Sequence, residues 1–340
     1  MKPKWFLNRK VEFFPFDIWI AGQAYVHGKN DAFPWRFKNI FFYYKNGYEL
    51  SFRSMKNMAD LKIVLQKEFS KKFVKKVGGA IKETSNALVR ETYRAFKNKS
   101  AFNEHLDEFI TAYENMLAIF QVPDHAQYLL PNADKKLLYE FGMMRDYAAR
   151  NLAIAENYYR PRLGKTLKLP KKVALTLLPN EIKTWLNTGT LPKDIIKRKT
   201  NVIAVSTRET SILWNKKADA FFKKEYLQSR VLPRSKNLSG KIAYSGVVTG
   251  KVYIAFNDMD FRKIPKNAIL ICSMTRYTAL PYIKKAAAIV TDQGGITCHA
   301  AILAREFKIP TITGTLHSTD IFKTGDLVEV DANQGIVRRL

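Results

Sequence analysis

Cysteine is nearly absent from this chain. Cys272 and Cys298 are the only two in 340 residues. That excludes a disulfide scaffold and a cysteine-rich zinc module, and it fits a reducing compartment. Of the five histidines, none pairs with a cysteine or another histidine at zinc-ligand spacing, so no metal site is expected. No apolar run approaches the roughly 18 residues of a membrane span. Near the start, Arg9, Lys10, Glu12 and Asp17 interrupt the apolar stretches, as they do not in a secretory signal. A soluble, cytoplasmic protein with no membrane partner is expected. Acidic residues are also few: 30 Asp and Glu stand against 57 Lys and Arg, a formal charge of +27.

Apolar material, in contrast, is ample at 46 %, which excludes intrinsic disorder and supplies a core. The length suggests two domains. The positive charge is compatible with nucleic acid, an anionic membrane, an acidic protein or a phosphorylated ligand. Lys outnumbers Arg 39 to 18, whereas base-reading surfaces lean on bidentate Arg. A dispersed, solvated surface is therefore the expected reading, and nucleic acid is not an expected partner.

Three textures follow one another. Residues 1–57 are rich in aromatics, and Asn46-Gly47 between Ile40–Tyr44 and Tyr48–Phe52 predicts a hairpin. Residues 58–230 read as helical throughout, with apolar residues at spacings of three and four. Ser100 and Asn132 are the expected N-caps of two helices, and Pro161 with Gly164 the expected end of the second. On that helix Phe141, Met143, Met144, Tyr147 and Tyr158 are expected to face the core, and Arg145, Asp146 and Arg150 to form exposed ion pairs. Pro179 is expected in the first turn of another short helix. From Leu238 onward glycine is frequent. Short apolar runs at 247–254, 268–272, 287–291, 311–313 and 327–330 predict strands, with helices near 278–285 and 299–307. The expected fold is mixed: a mainly α-helical N-terminal domain, 1–230, with a small β-hairpin element, and an α/β domain, 238–340. The linker is expected at Gln228–Asn237.

The segment Thr291-Asp292-Gln293-Gly294-Gly295-Ile296-Thr297-Cys298-His299-Ala300-Ala301 carries the chemistry. A buried strand enters a diglycine turn, and a helix opens at a hydroxyl, a thiol and an imidazole. Glycines permit the sharp turn and leave room for a bulky anion. The helix start offers unpaired N–H groups and partial positive charge, which suit a phosphate. With a reference pKa of about 6.5, an imidazole at neutral pH is a competent nitrogen nucleophile. Thr297 reads equally as a helix cap or as a donor to phosphoryl oxygens, and Cys298 as a small packing residue. Arg305, six residues beyond His299, suits an ion pair or an interface. His27 reads as a loop residue and His105 as part of a solvated helix face; His125 and His317 carry no motif.

This segment resembles the phosphohistidine, or swivelling, domain of the phosphoenolpyruvate-utilising enzymes, among them phosphoenolpyruvate synthase, pyruvate phosphate dikinase and rifampicin phosphotransferase. The resemblance covers Leu238–Leu340. Its motifs fall in order: Gly240–Val252, Met274-Thr275 with Leu280-Pro281, Gly294–Ala301, Ala304–Pro310, and Gly325–Asp331 with Gly335. Arg276-Tyr277-Thr278 departs from the family wording. The resemblance implies that His299 is the phosphoryl acceptor, with Thr297 and Cys298 beside it and Gly294 and Gly295 at the phosphate. Arg145-Asp146-Tyr147, Arg150, Leu178–Ile182 and Lys197-Arg198-Lys199 resemble, more thinly, the helical acceptor region of rifampicin phosphotransferase relatives, which makes Arg145 and Arg150 candidate acceptor-site residues.

Family members take phosphate from ATP through an ATP-grasp domain, and synthases and dikinases add a phosphoenolpyruvate-binding barrel. Neither is found in this sequence, and no Gly-rich phosphate loop precedes His299. The expected function is that of a phosphoryl-carrier or phosphotransferase subunit, a transferase of phosphorus-containing groups. It would receive phosphate from a separate ATP-grasp or phosphoenolpyruvate-binding partner holding ATP and Mg2+, and pass it to a small-molecule acceptor that these residues do not name, pyruvate, an antibiotic-like molecule and water all being open. No cofactor is expected on this chain itself. The alternative is a regulatory protein that keeps the domain as a docking module without turnover.

Overall fold

A computed structural model describes the chain outside residues 1–4, 12–13, 28–29, 39, 46–47, 131, 199–200, 207–209, 228–236, 257, 276–278 and 296–297. At 5–11, 44–45, 48–50, 197, 201–206, 210–211, 226–227, 258 and 299 it describes the backbone alone. The chain divides into two compact units. One comprises Met1–Leu7, Phe13–Pro123 and Asp134–Ser229, the other Asn8–Glu12, Asp124–Ala133 and Arg230–Leu340. The linker expected at Gln228–Asn237 lies almost wholly outside the described residues.

The first unit begins β1 (Trp5–Val11), α1 (Pro15–Val26), β2 (Ile40–Lys45), β3 (Tyr48–Ser54), α2 (Met55–Glu68), α3 (Lys71–Ala95) and α4 (Lys99–Phe120). Then come α5 (Val122–Leu129), α6 (Lys135–Leu167), α7 (Lys171–Ala174), α8 (Pro179–Thr188), β4 (Asn201–Ser206), β5 (Thr210–Trp214) and α9 (Asn215–Phe222). The hairpin forms with Lys45 opposite Tyr48; its Asn46-Gly47 turn lies outside the described residues. It is not the small isolated element expected. It is the middle of a five-stranded sheet ordered β1-β3-β2-β4-β5, because β2 also pairs antiparallel with β4. Phe41 and Phe52 on one sheet face stack at 4.3 Å and pack with Tyr43 and Ala218 of α9. The reading of 58–230 as helical throughout is thereby corrected at β4 and β5.

The long helices α3, α4 and α6 enclose an aromatic core of Phe16, Phe96, Phe109, Tyr113 and Tyr159. Asp17 is fully buried there. It accepts hydrogen bonds from the Phe14 N–H, the Tyr113 and Tyr159 hydroxyls and the Arg160 guanidinium. Arg160 also pairs with Glu156 at 3.0 Å. A buried charge so supplied with partners pins α1 against α4 and α6.

Several local expectations shift. The caps are Asn98 and Asp134, each bonding the third N–H beyond it, rather than Ser100 and Asn132. Pro161 does not end α6, which runs on to Leu167 and closes on Lys168 in the left-handed region. Pro161 and Asn157 both lie on the exposed side, so the carbonyl that proline leaves unbonded faces solvent rather than the core. His105 is buried, not solvated, at a non-helical residue within α4. Met143 and Tyr147 face solvent, not the core. Pro179 opens α8 as expected, with Glu181 capping the Leu178 N–H.

The second unit holds β6 (Asn237–Ser239), β7 (Lys241–Tyr244), β8 (Val247–Ala255), α10 (Asp258–Arg262), β9 (Ile269–Cys272), α11 (Leu280–Ile283) and β10 (Ala288–Thr291). It ends with α12 (His299–Phe307), β11 (Thr311–Thr313), α13 (Ser318–Ile321), β12 (Leu327–Asp331) and β13 (Ile336–Arg339). They form an eight-stranded mixed sheet ordered β6-β13-β12-β8-β9-β10-β11-β7, parallel from β8 through β11. All four residues of β9 and of β10 are buried, because both faces are covered. Ile269 and Ile271 pack toward Val328, Val330 and Val337. Leu270 and Cys272 pack toward Phe261, Ile283 and Leu303 of the helices. Among the described residues no helix is long and apolar enough to cross a membrane.

Candidate functional site

Parallel β9 and β10 end level, with Thr291 beside Cys272. Loops at the carboxyl ends of such strands form the natural crevice of an open α/β sheet. The loop that follows β10 is tied to both neighbours before it turns. The Asp292 N–H donates to the Cys272 carbonyl at 3.1 Å, and the Gln293 N–H to the Ser273 carbonyl at 2.9 Å. On the other side Thr315 donates to the Thr291 carbonyl through both its N–H and its hydroxyl, each at 3.0 Å. The Leu316 N–H reaches the Asp292 carbonyl at 2.9 Å.

Asp292 is the hub of this arrangement and is 1 % exposed. Its carboxylate accepts from the Ser318 hydroxyl at 2.6 Å, the Thr319 N–H at 3.0 Å and the Thr319 hydroxyl. Burial pushes its carboxyl above the usual range, and the bonds from Ser318 and Thr319 pull the other way. The Cys272 thiol is likewise raised, first by burial and then by Asp292 and Cys298. Ser273 is buried too, and its hydroxyl meets no hydrogen-bond partner among the described residues.

The turn itself requires glycine at one position and leaves space at the next. Gly294 has φ +111°, and a Cβ there would stand 2.7 Å from Cys298 Sγ. At Gly295 an added Cβ would meet nothing within 4 Å among the described residues. The Cys298 N–H returns to the Gly295 carbonyl at 3.1 Å. Cys298 then serves as the N-cap of α12 in extended conformation, and its thiol makes no hydrogen bond into the first turn. The first-turn N–H groups thus receive no cap from that side chain, and the helix start keeps its attraction for an anion. His299 is the first residue of α12. Buried Ala300, Ala301, Leu303 and Ala304 seat the helix on the sheet.

Gly294, Gly295, Cys298 and the His299 backbone therefore share one strand–turn–helix junction. Thr297 lies outside the described residues. Arg145 and Arg150 stand in the other unit, on α6. Arg145 pairs with Asp146 at 3.4 Å and lies 5.0 Å over the Phe120 ring. Both members of that pair are largely buried, where an exposed pair was expected. Burial raises the Asp146 carboxyl, and Arg145 opposes the shift. Arg150 is exposed. Asp292, Ser318 and Thr319 were missed in the sequence. Their signal was an aspartate closing an apolar run and a Ser-Thr pair opening a short helix.

The family described as "PEP-utilising enzyme, mobile domain" matches residues 264–335. A probable phosphoenolpyruvate synthase of Archaeoglobus fulgidus is 35 % identical over 188 residues, covering 51 % of this chain and 24 % of that protein. That span is longer than Leu238–Leu340, so the similarity reaches beyond the mobile domain. The phosphoenolpyruvate synthase of Pyrococcus furiosus is 43 % identical over 100 residues, 29 % of this chain and 12 % of that protein. This chain thus spans a quarter or less of the length of these relatives. Among solved structures, "NMR solution structure of Enzyme I (nEIt) protein using two 4D-spectra" aligns over 82 % of this chain and 79 % of that one, at 15 % identity and a TM-score of 0.26.

Proposed function

From a C-terminal region that belongs to the mobile domains of the PEP-utilising enzymes, we propose that the chain is a phosphoryl carrier in which His299 is the acceptor. The observation that carries this reading is the end of β10 at Asp292-Gln293, tied to the carbonyls of Cys272 and Ser273 and followed by the Gly294-Gly295 turn, with His299 as the first residue of α12.

An imidazole nitrogen attacks phosphorus; an N–P bond forms, and the donor's P–O bond breaks with its electron pair leaving on oxygen. Transfer onward reverses these roles at an acceptor oxygen. The phosphorus–nitrogen bond keeps high transfer potential, which is what a carrier needs. In this reading Gly294 and Gly295 keep side-chain bulk away from the phosphoryl oxygens. The helix start offsets their charge. Thr297 orients the imidazole or donates to an oxygen, and Cys298 packs under the turn. The donor is a separate ATP-grasp or phosphoenolpyruvate-binding partner. ATP and Mg2+ stay with that partner. The acceptor is a small molecule, and Arg145 and Arg150 are its proposed contacts.

The test uses the full chain with ATP labelled at the β or γ phosphate plus an ATP-grasp partner, and separately with labelled phosphoenolpyruvate. The expected product carries an acid-labile, base-stable label that is absent from His299→Ala. Label that persists in that variant, or no label from either donor, would overturn the reading.

A further inference from the structure

The outer faces of α3 and α6 carry a row of exposed apolar side chains that phosphoryl transfer does not use. On α6, Tyr139, Met143, Tyr147 and Ile154 are 42, 38, 38 and 43 % exposed. Their spacings of four, four and seven set them on one face. The core takes the opposite face, through Leu138, Phe141, Ala148, Leu152 and Tyr159. Alongside, α3 turns Lys75, Gly79, Lys82, Asn86 and Tyr93 outward, at spacings of four, three, four and seven.

The two rows form one surface. The Tyr147 hydroxyl donates to Asn86 Oδ1 at 2.7 Å, and Asn151 Nδ2 donates to the same atom at 2.8 Å. Further along, the Tyr93 and Tyr158 rings lie 4.2 Å apart. The two helices run parallel. A Cβ at Gly78 would stand 1.7 Å from Met144 Sδ, so the helices approach closely there. One residue on, a Cβ at Gly79 would meet nothing within 4 Å, which leaves the surface open at its middle.

We propose that this paired face is a docking surface for an amphipathic helix of a partner protein, apolar along its centre and acidic along its flanks. Spacings of four and seven on both rows, with a three on α3, are those that seat a third helix. Tyr, Met and Arg are the residues enriched at the cores of protein interfaces. The charges choose the partner's sign. Lys82 lies 5.9 Å over the Tyr147 ring, Arg150 and Lys165 are exposed on the same side of α6, and Arg162 covers the Tyr158 ring at 3.6 Å. Glu83 and Glu140 are the acidic residues at its border. A second copy of the chain would set these cations against themselves. A nucleic acid would find the aliphatic Met143 and Ile154 where stacking rings are needed.

The experiment uses the full chain and a designed three-heptad peptide with Leu at a and d and Glu at e and g. Its controls are a scrambled peptide, a copy with Lys for Glu, and an oligodeoxythymidine. Fluorescence anisotropy is expected to show the acidic amphipathic peptide binding at least tenfold more tightly than the other three. Met143→Glu is expected to weaken it at least tenfold. Lys82→Glu with Lys165→Glu is expected to weaken the acidic peptide and strengthen the basic one. All substituted side chains are exposed, and an unchanged Tm and circular dichroism check the fold. Equal binding of the scrambled peptide would overturn the proposal. So would oligonucleotide binding lost in the same variants, or self-association in sedimentation that Met143→Glu abolishes.

Discussion

Gly294 and Gly295 are neighbours with opposite tolerances, and the difference is structural rather than chemical. A methyl group at Gly294 meets Cys298 Sγ at 2.7 Å in a backbone with φ +111°. The strain of that backbone alone costs about 1–3 kcal/mol for a non-glycine residue. A methyl group at Gly295 meets nothing within 4 Å among the described residues. Gly294→Ala is thus expected to lower the stability of the second unit by about 1–3 kcal/mol, and Gly295→Ala to change it by less than about 0.5 kcal/mol. Chemical denaturation followed by probes in that unit distinguishes them. Asp292 makes the companion case. Asp292→Ala strands the Ser318 and Thr319 donors, at about 1–3 kcal/mol for each buried group left unpaired. Asp292→Asn keeps an acceptor for Ser318 and the Thr319 N–H, and its amide can donate to the Thr319 hydroxyl. The pH dependence has a definite sign. The folded carboxyl titrates above 3.8, its unpaired value. Its stabilising contribution is whole below 3.8 and is lost as pH rises through the folded value. The Tm of Asp292→Asn minus that of the wild type should therefore increase as pH rises through that window. A flat difference would show that burial does not hold the proton.

At the scale of elements, α6 is the clearest case of a rule overridden by context. Proline in a helix interior costs about 3 kcal/mol relative to alanine, yet α6 continues for six residues beyond Pro161. The first unit holds it in place: Tyr159 and Leu163 are fully buried on either side, and burial of such side chains outweighs one missing hydrogen bond. Pro161→Ala is expected to stabilise the first unit by about 1–3 kcal/mol, read as a higher urea midpoint at unchanged slope. The same helix explains why its sequence misled. Met143 and Tyr147 have the composition of core residues, but the stripe on the opposite face, through Phe141, Ala148 and Leu152, already fills the contact with α3 and α4. Composition names a side chain as apolar; only packing decides which of two apolar stripes goes inside. Strands β4 and β5 were illegible for a related reason. Each has only five or six residues, and the strand that ties the pair into the sheet, β2, which pairs with β4, lies far back in the chain, where no local period reports it. By contrast β9, β10 and α12 were plain in the sequence. Unbroken apolar runs bounded by glycine or polar turns leave a two-sided buried strand as the economical reading.

Across the whole molecule, the positive charge is unevenly shared: +21 of +27 falls before Lys236. The loop that leads to His299 is thus not where the excess lies. Its design is dipolar and conformational, with a helix start and a glycine turn held by a buried carboxylate. The lysine-rich first unit supplies a long-range field that attracts anions and acidic partners alike. The loop could be read in the sequence because its glycines, thiol and imidazole are contiguous. Its support could not, because Ser273 follows β9 while Thr315, Ser318 and Thr319 follow β11, two other stretches that only the sheet brings together.

The central claim is that His299 carries the phosphoryl group. Its most direct measurement is peptide mapping, by mass spectrometry under alkaline conditions, of chain phosphorylated by ATP with an ATP-grasp partner or by phosphoenolpyruvate. The expected result is a single phosphorylated site at His299 that empties when an acceptor is added. Phosphate found on another residue, or none found under either donor while the chain is folded, would contradict it.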